Sequence, residues 1–456
     1  MKISAVSETN FKHTELGPLP EDWQVVRLGK VVETKSGGTP DRGKPEYFGG
    51  PIAWVKSGEL NDTEVKFTSE SLTESGLKNS NAKIFPRGTL LLAMYGATAG
   101  KVGLLGLDAA TNQAICAIFP YPHLLSDYLF YTLIYLREDL LNQRYGGAQP
   151  NISQTIIKNL SIPFPPLPEQ RAIAHVLRTV QEAKAATERV VAALRDLKKS
   201  LMRHLFTYGP VPLGQVETVR LRESEIGPIP EHWRVVRLGE LVDKNILLVR
   251  NGFPQGQHND TGKGVPHLRP FNITEGGVLD LSHVKYVAPP VETDPHWLCL
   301  NDIIFNNTNS EELVGKTALL ECEGKFVLSN HMTFLRVLAR DQIDPYWLSR
   351  QLHYLWHLRV YRSLCRRHVN QASLSLQRLK GISIPLPPLP EQRAIAHILQ
   401  AVDRRIQAEE AYARALGELF RALLGELMSG RRRVRIEAGS GAETKECLPL
   451  LEKDAL

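Results

Sequence analysis

Three segments carry residue types that perform catalysis in other proteins, and each lacks a partner that its chemistry requires. Asp344-Pro345-Tyr346-Trp347 comes close to the Asp-Pro-Pro-Tyr arrangement that grips an amino group for methyl transfer. The second proline is missing, however, and no glycine-rich cofactor loop precedes it. The expected role is a helix start. Gly96 to Lys101 (GATAGK) is one residue short of a phosphate-cradling loop, and Val102 stands where a Ser or Thr hydroxyl is needed. A strand turn is expected there. His353 and His357 lie four residues apart in HYLWH, a zinc-protease spacing without the glutamate or a third ligand. They read as packing or surface histidines. The chain is therefore expected to be non-catalytic and to hold no metal or cofactor of its own.

The elements around these segments are organised by a duplication. SIPFPPLPEQRAIAHVLRTV at Ser161 to Val180 returns as SIPLPPLPEQRAIAHILQAV at Ser383 to Val402, with 16 of 20 positions identical. LGPLPEDWQVVRLGKV from Leu16 to Val31 likewise returns as IGPIPEHWRVVRLGEL from Ile226 to Leu241. Between these borders the two copies hardly match, and the opening and closing blocks are offset by 210 and 222 residues. Two similar frames thus hold two different inserts, as presenting two unlike surfaces would require.

At 456 residues, with 43% hydrophobic and 23% charged residues, the chain has room for about two to four domains. A net charge of +6 permits contact with a polyanion without demanding it. Cys116, Cys299, Cys322, Cys365 and Cys447 are scattered with no CxxC pair, which argues against a disulfide framework or zinc site and for a reducing compartment. No stretch reaches signal-peptide or membrane-span character, so a cytoplasmic location is expected.

After each PPLPEQ the prolines stop and a long helix is expected, with Pro and Glu in its first turn. Ile173, Val176, Val180, Ala183, Thr187, Val190, Leu194, Leu197 and Leu201 form one apolar stripe. Ile395, Leu399, Val402, Ile406, Ala413, Leu416, Phe420, Leu423 and Leu427 form the other. Each run of about 37 residues makes a rod roughly 55 Å long, and an exposed leucine stripe of that length needs a partner. The nearest partner is the other copy, lying antiparallel; the alternative is that each helix packs back on its own insert as ordinary core. The inserts carry short β-rich runs such as Thr89 to Tyr95 and Ile303 to Phe305, with helices at Ser126 to Leu141 and Pro345 to Val360. The fold class is α+β: two mixed α/β domains separated by two long, antiparallel, coiled-coil-like helices in a pseudo-twofold repeat. Boundaries are expected at 1–160, 161–209, 210–381 and 382–430, with 431–456 a disordered tail.

Taken together, the repeated PLPPLPEQ-type runs resemble the specificity subunit of type I restriction-modification systems. AMYGATAGKVGLL with TNQAI at Thr111, GGAQPNISQTIIKNLSIP from Gly146, and HVNQASLSLQRLKGISIP from His368 are also similar to that family. The resemblance spans about Leu16 to Gly430. It implies that this chain reads double-stranded DNA with one target-recognition domain per half-site. It also implies two modification subunits that bind S-adenosylmethionine and methylate adenine and, where present, two restriction subunits. A free-standing DNA-binding regulator and a protein scaffold without DNA readout are the alternatives.

With no helix-turn-helix or finger signature, DNA contacts are expected from the inserts' loops. Lys and Arg would meet phosphates, and amides and hydroxyls would meet base edges. In the first insert the candidates are Thr39, Arg42, Lys44, Lys56, Ser57, Lys78, Asn79, Ser80, Tyr95, Thr98, Lys101 and Gln149. In the second they are Arg250, Asn251, Gln257, His258, Arg269, Asn272, Asn307, Thr308, Asn309, Asn330, His331, Arg366 and Arg367. Docking of the modification subunits is expected at Pro168, Glu169, Gln170 and Arg171, and at Pro390, Glu391, Gln392 and Arg393.

Overall fold

Strand pairing joins the duplicated blocks into two frames. The computed structural model describes residues 3–5, 10–142, 151–254, 257–367 and 371–436, so Gln149 and the tail beyond Ile436 lie outside the described residues. It divides into two units, one of residues 1–187 with 412–456 and one of residues 188–411. In the first, Gln24–Arg27 of the opening block pairs antiparallel with Ser161–Phe164 of the closing block; in the second, Arg234–Arg237 pairs with Ser383–Leu386. Trp23 and Trp233, both buried, donate their indole N–H to Glu169 and Glu391 at 2.9 Å in each case. Gln170 accepts from the Leu125 amide at 3.0 Å and donates to the carbonyls of His123 and Pro165; Gln392 does the same with Asp344, Gln342 and Pro387. Each amide thereby ties the start of a long helix to the insert helix before it.

These bonds correct the expected docking role of the motif. Glu169, Gln170 and Gln392 are buried and Glu391 is half-buried, because a buried carboxylate or amide must be hydrogen-bonded and here the bonds are internal. Only Pro168, Arg171, Pro390 and Arg393 remain exposed. The tail is corrected over its first residues as well. Val434–Ile436 pairs antiparallel with Ile3–Ala5. Arg433, only 5% exposed, donates to Glu169 at 2.6 Å and to Asp22 at 2.7 and 2.9 Å.

The long helices are α1 (Leu167–Tyr208) and α2 (Leu389–Met428), of 42 and 40 residues. They exceed the expected length because the Leu-Pro-Glu-Gln run is itself the first turn. Within the second unit Arg195 meets Glu410 at 2.6 Å and Lys198 meets Asp403 at 2.6 Å, so numbers rise along α1 as they fall along α2: the segments run antiparallel. Within the first unit Ala172 to Leu177 share a core with Leu423 to Met428. The α1 stripe needs a correction. Leu177, Val191, Lys198, Met202 and Leu205 are buried, whereas Val190 and Leu197 are 43% and 47% exposed. Ile173 and Thr187 of the stripe are buried as expected, and from Val191 onward the buried positions lie one residue later, with Lys198 paired there to Asp403. The α2 stripe is buried at Ile395, Leu399, Ile406, Ala413, Leu416, Leu423 and Leu427.

The inserts share a common core of strand order despite their unlike sequences, each of the two sheets of the first carrying one strand more than its counterpart in the second. In the first unit the main sheet runs Val32–Ser36, Ile115–Pro120, Leu90–Ala93, Val102–Leu105, Thr63–Val65. In the second it runs Leu247–Asn251, Met332–Val337, Ile303–Asn306, Thr317–Leu319. A smaller sheet adjoins each, holding a parallel pair: Phe48–Val55 with Ala109–Thr111, and Val265–Leu268 with Val327–Leu328. Alternation along the central strands explains why both faces are apolar. Leu90 and Leu92 enter one core with Cys116 and Ile118, while Leu91 and Ala93 enter another with Ile115 and Ala117. Ile303 and Phe305 part from Ile304 in the same way. Asp344 caps the helix Pro345–His357 by accepting from Trp347 N, and His353 is a core histidine accepting from Thr317 N. No helix among the described residues is long and apolar enough to cross a membrane.

Candidate nucleic-acid interface

Four loops leave the same ends of the two sheets in the first unit and form a polar rim. Ser36 leads into Gly37-Gly38-Thr39, Val55 into Lys56 to Glu59, Ala93 into Tyr95 to Thr98, and Thr111 into Asn112-Gln113. Backbone bonds fix their mutual positions: Gly38 N to Thr111 O at 2.9 Å, Asn112 N to Val55 O at 3.0 Å and Met94 N to Ala114 O at 2.8 Å. Gly37 packs so closely on Thr111 that an added Cβ would lie 2.1 Å from its carbonyl oxygen. The Thr39 hydroxyl donates to Gln113, and Thr98 donates to the Ser57 carbonyl at 2.9 Å.

Charge on this rim is held in place. Glu70 receives Lys56 and Arg42, each at 2.6 Å, and these two hydrogen bonds keep its carboxyl below the usual range. Arg42 also lies over the rings of Phe48 at 4.8 Å and Trp54 at 5.0 Å. Lys44 is exposed beside the Tyr47 hydroxyl at 3.2 Å. Lys78 and Asn79 are exposed at the end of a short helix and Ser80 is half-buried; an Asn79 donor is occupied by Ser75 O and the Ser80 hydroxyl by Leu77 O. This segment joins the rim because Asn81 backs directly onto Gly38. Lys101 is placed differently from the expectation. It pairs with Asp62 at 2.7 Å, which Arg137 also binds, so its charge braces the hairpin.

The second unit repeats the rim. Arg250 and Asn251 lead into Gly252, Leu268 into Arg269 to Asn272, Asn306 into Asn307 to Asn309, and Leu328 into Ser329 to His331. The corresponding bonds are Phe253 N to Leu328 O at 2.7 Å and Ser329 N to Leu268 O at 2.9 Å; at the third loop the donor moves on by one residue, Thr308 N reaching His331 O at 3.1 Å. An added Cβ on Gly252 would lie 2.0 Å from Ser329 O. Arg269 lies over the exposed Phe271 ring at 5.5 Å. Asn330 and His331 are exposed, as is Gln257. His258 meets His267 at 3.1 Å; burial, then the charges of His258 and Arg269, push the His267 imidazole down to about 4. Burial lowers His258 as well.

Other second-unit candidates do structural work. Asn272 is buried; it accepts from Arg269 N and donates to the carbonyls of Asp280 and His283, which removes it as a reader. Asn251 accepts from Thr333 at 3.0 Å, Asn307 donates to Thr308 at 3.4 Å, and Asn309 accepts from Ser310 N at 2.8 Å. Arg366 and Arg367 are exposed on a short strand paired through Ala372–Ser373 to Thr308–Asn309, with Arg367 on Glu311 at 2.9 Å. Asn112 Oδ1 and Asn307 Oδ1 are buried beside the rims with no hydrogen-bond partner among the described residues. Gln113, a single exposed amide within the TNQAI run, stands apart from the polar clusters. Among the described residues no group of three or more His, Cys, Asp or Glu is placed to hold a metal.

A family model described as type I restriction modification DNA specificity domain matches residues 20–193 and 230–415. The chain is 26% identical to the type I restriction enzyme MjaIX specificity subunit of Methanocaldococcus jannaschii, covering 94% of this chain and 97% of that one. It is 24% identical to the EcoKI specificity subunit of Escherichia coli, covering 87% and 84%. The crystal structure of a type I restriction-modification S subunit from M. genitalium aligns with a TM-score of 0.60 at 18% identity, covering 89% of this chain and 96% of that one. At that identity the match speaks for the fold.

Proposed function

The chain belongs to the type I restriction modification DNA specificity domain family, and from that premise we propose that it is the DNA-reading subunit of such a complex, with one unit addressing each half of a split, asymmetric target. The observation that carries this reading is the pairing of a common core of strand order with two unlike rims. The same backbone bonds position Thr39, Lys56 and Gln113 in one unit and Pro254, Arg269 and Asn330 in the other. A common scaffold with different side chains at matched places suits two readers of different sequences. Arg42, Lys56, Arg269, Arg366 and Arg367 would meet phosphates, and the amides and hydroxyls would meet base edges.

Partner docking is assigned to the helices. Val190 and Leu197 of α1 recur at the repeat offset of 222 as Tyr412 and Leu419 of α2, and all four are between 43% and 55% exposed. An apolar stripe of this kind, present once in each unit, suits a helical partner surface and two modification subunits per chain. Those subunits would bind S-adenosylmethionine and carry out the methylation, and this chain would remain non-catalytic. Methylome sequencing of cells producing the chain with its modification subunit tests the reading: a two-part motif with an unspecified gap is expected, and a single contiguous motif would count against it.

A further inference from the structure

We propose that Gln113 and Asn330 are equivalent base-reading residues, each presenting its side-chain amide to the major-groove edge of an adenine in its own part of the target. The inference rests on the DNA-reading function above and adds which residue reads and what it reads.

Backbone bonding alone establishes the equivalence. Ala109–Thr111 runs parallel to Phe48–Val55, and the next residue, Asn112, donates to Val55 O at 3.0 Å. Val327–Leu328 runs parallel to Val265–Leu268, and the next residue, Ser329, donates to Leu268 O at 2.9 Å. Each loop is then closed by the first residue of the following strand: Ile115 N to Asn112 O at 3.2 Å, and Met332 N to Ser329 O at 2.9 Å. Gln113 and Asn330 therefore stand at the same register of the same loop. Nothing in the surrounding sequence matches at this point, since TNQAI faces LSNHM. Both units nonetheless place an exposed carboxamide there.

The loop suits a reader. It is pinned at both ends and held from behind by Gly37 or Gly252, whose lack of a Cβ permits the close approach. Ordering on binding then falls on one side chain. In the first unit the Thr39 hydroxyl donates to Gln113 Oε1 and fixes the rotation of the amide. A carboxamide offers one acceptor and one donor side by side. That matches the N6 donor and N7 acceptor of adenine, whereas guanine presents two acceptors on the same edge and cytosine a single donor. Lys56 and Arg269 lie at the matching next loop, where they can fix the register on the phosphates.

The test presents the complete chain, in complex with its modification subunit, with a random duplex library at physiological salt, and sequences the bound fraction. Gln113→Leu keeps the size and removes the amide; Gln113→Glu keeps the acceptors and removes the donor; Asn330→Leu and Asn330→Asp are the counterparts. For each Leu variant, discrimination at one adenine position of one half-site should fall about five- to hundredfold, with the other half-site unchanged. The Gln113 and Asn330 variants should affect opposite halves. Relaxation at a base other than adenine, uniform weakening at all positions, or no change would each overturn the inference. If the unsubstituted complex itself selects no sequence, the DNA-reading function fails with it, which separates the two failures.

Discussion

Replacing Arg433 by Met should destabilise the first unit substantially. Arg433 supplies both Asp22 and the buried Glu169 with bidentate bonds of 2.6 to 2.9 Å, and its guanidinium lies 5.9 Å from the centre of the Trp23 ring. Without it, Glu169 keeps the indole N–H of Trp23 as its hydrogen-bond donor and becomes an uncompensated buried charge. Breaking one side of such a pair costs about 3–5 kcal/mol. In a unit of this size that corresponds to a melting temperature lower by about 6 °C or more. The control is Glu169→Gln in the same chain: the amide still accepts from Trp23 and carries no charge, so the double variant should recover most of the loss. Hydrogen exchange at residues 167–187 and 412–430 reads the effect locally. A loss below about 1 kcal/mol, or a double variant less stable than Arg433→Met alone, would refute the buried-clamp reasoning. Truncation after Gly430 removes the same arginine and the strand paired with Ile3–Ala5, and should cost at least as much.

Acid should weaken the second unit. His267 titrates at about 4 when folded and at 6.5 when free, so between those values the unfolded chain binds a proton that the folded chain excludes. Stability should fall by up to about 1.4 kcal/mol per pH unit as pH drops through that window, and urea titrations of His267→Gln should show a shallower fall; an unchanged slope would contradict this. Asp403→Asn leaves Lys198 and Arg350 buried without their carboxylate, for an expected loss of about 3–5 kcal/mol by denaturant unfolding, whereas Lys198→Met should cost less because Arg350 and Tyr346 keep Asp403. Leu197→Ser and Leu419→Ser should each weaken capture of a modification subunit while leaving the melting temperature near that of the parent, and native mass spectrometry of the double variant should show the chain free of both.

The frame was legible in sequence because it is written twice: the Trp–Glu bonds at Trp23 and Trp233 join blocks that the duplication had already marked. The shared topology of the inserts was not legible. Backbone hydrogen bonds specify it, and side chains as unlike as Thr39 and Pro254 satisfy the same strand end. From Val190 onward the α1 seam departs by one residue from the apolar periodicity, because its buried positions include Lys198, a charged residue that such periodicity passes over. The basic run Arg431 to Arg433 resembled a solvated tail, since charge reads as exposure unless the buried acceptor, here Glu169, is known. Asn272 resembled a reader for a similar reason: one of its bonds caps the adjacent turn at Arg269 N, and the other two go to carbonyls eight and eleven residues further along the chain.

Exchange of one insert is the most direct measurement of the proposed division of labour. Residues 16–160 would be replaced by the equivalent segment of a relative with a known target, keeping α1, α2 and the second insert, and the methylome of cells producing the hybrid with the modification subunit would be sequenced. One half of the motif should become that of the relative, with the other half unchanged. A motif altered in both halves, or in neither, would contradict independent reading by the two units.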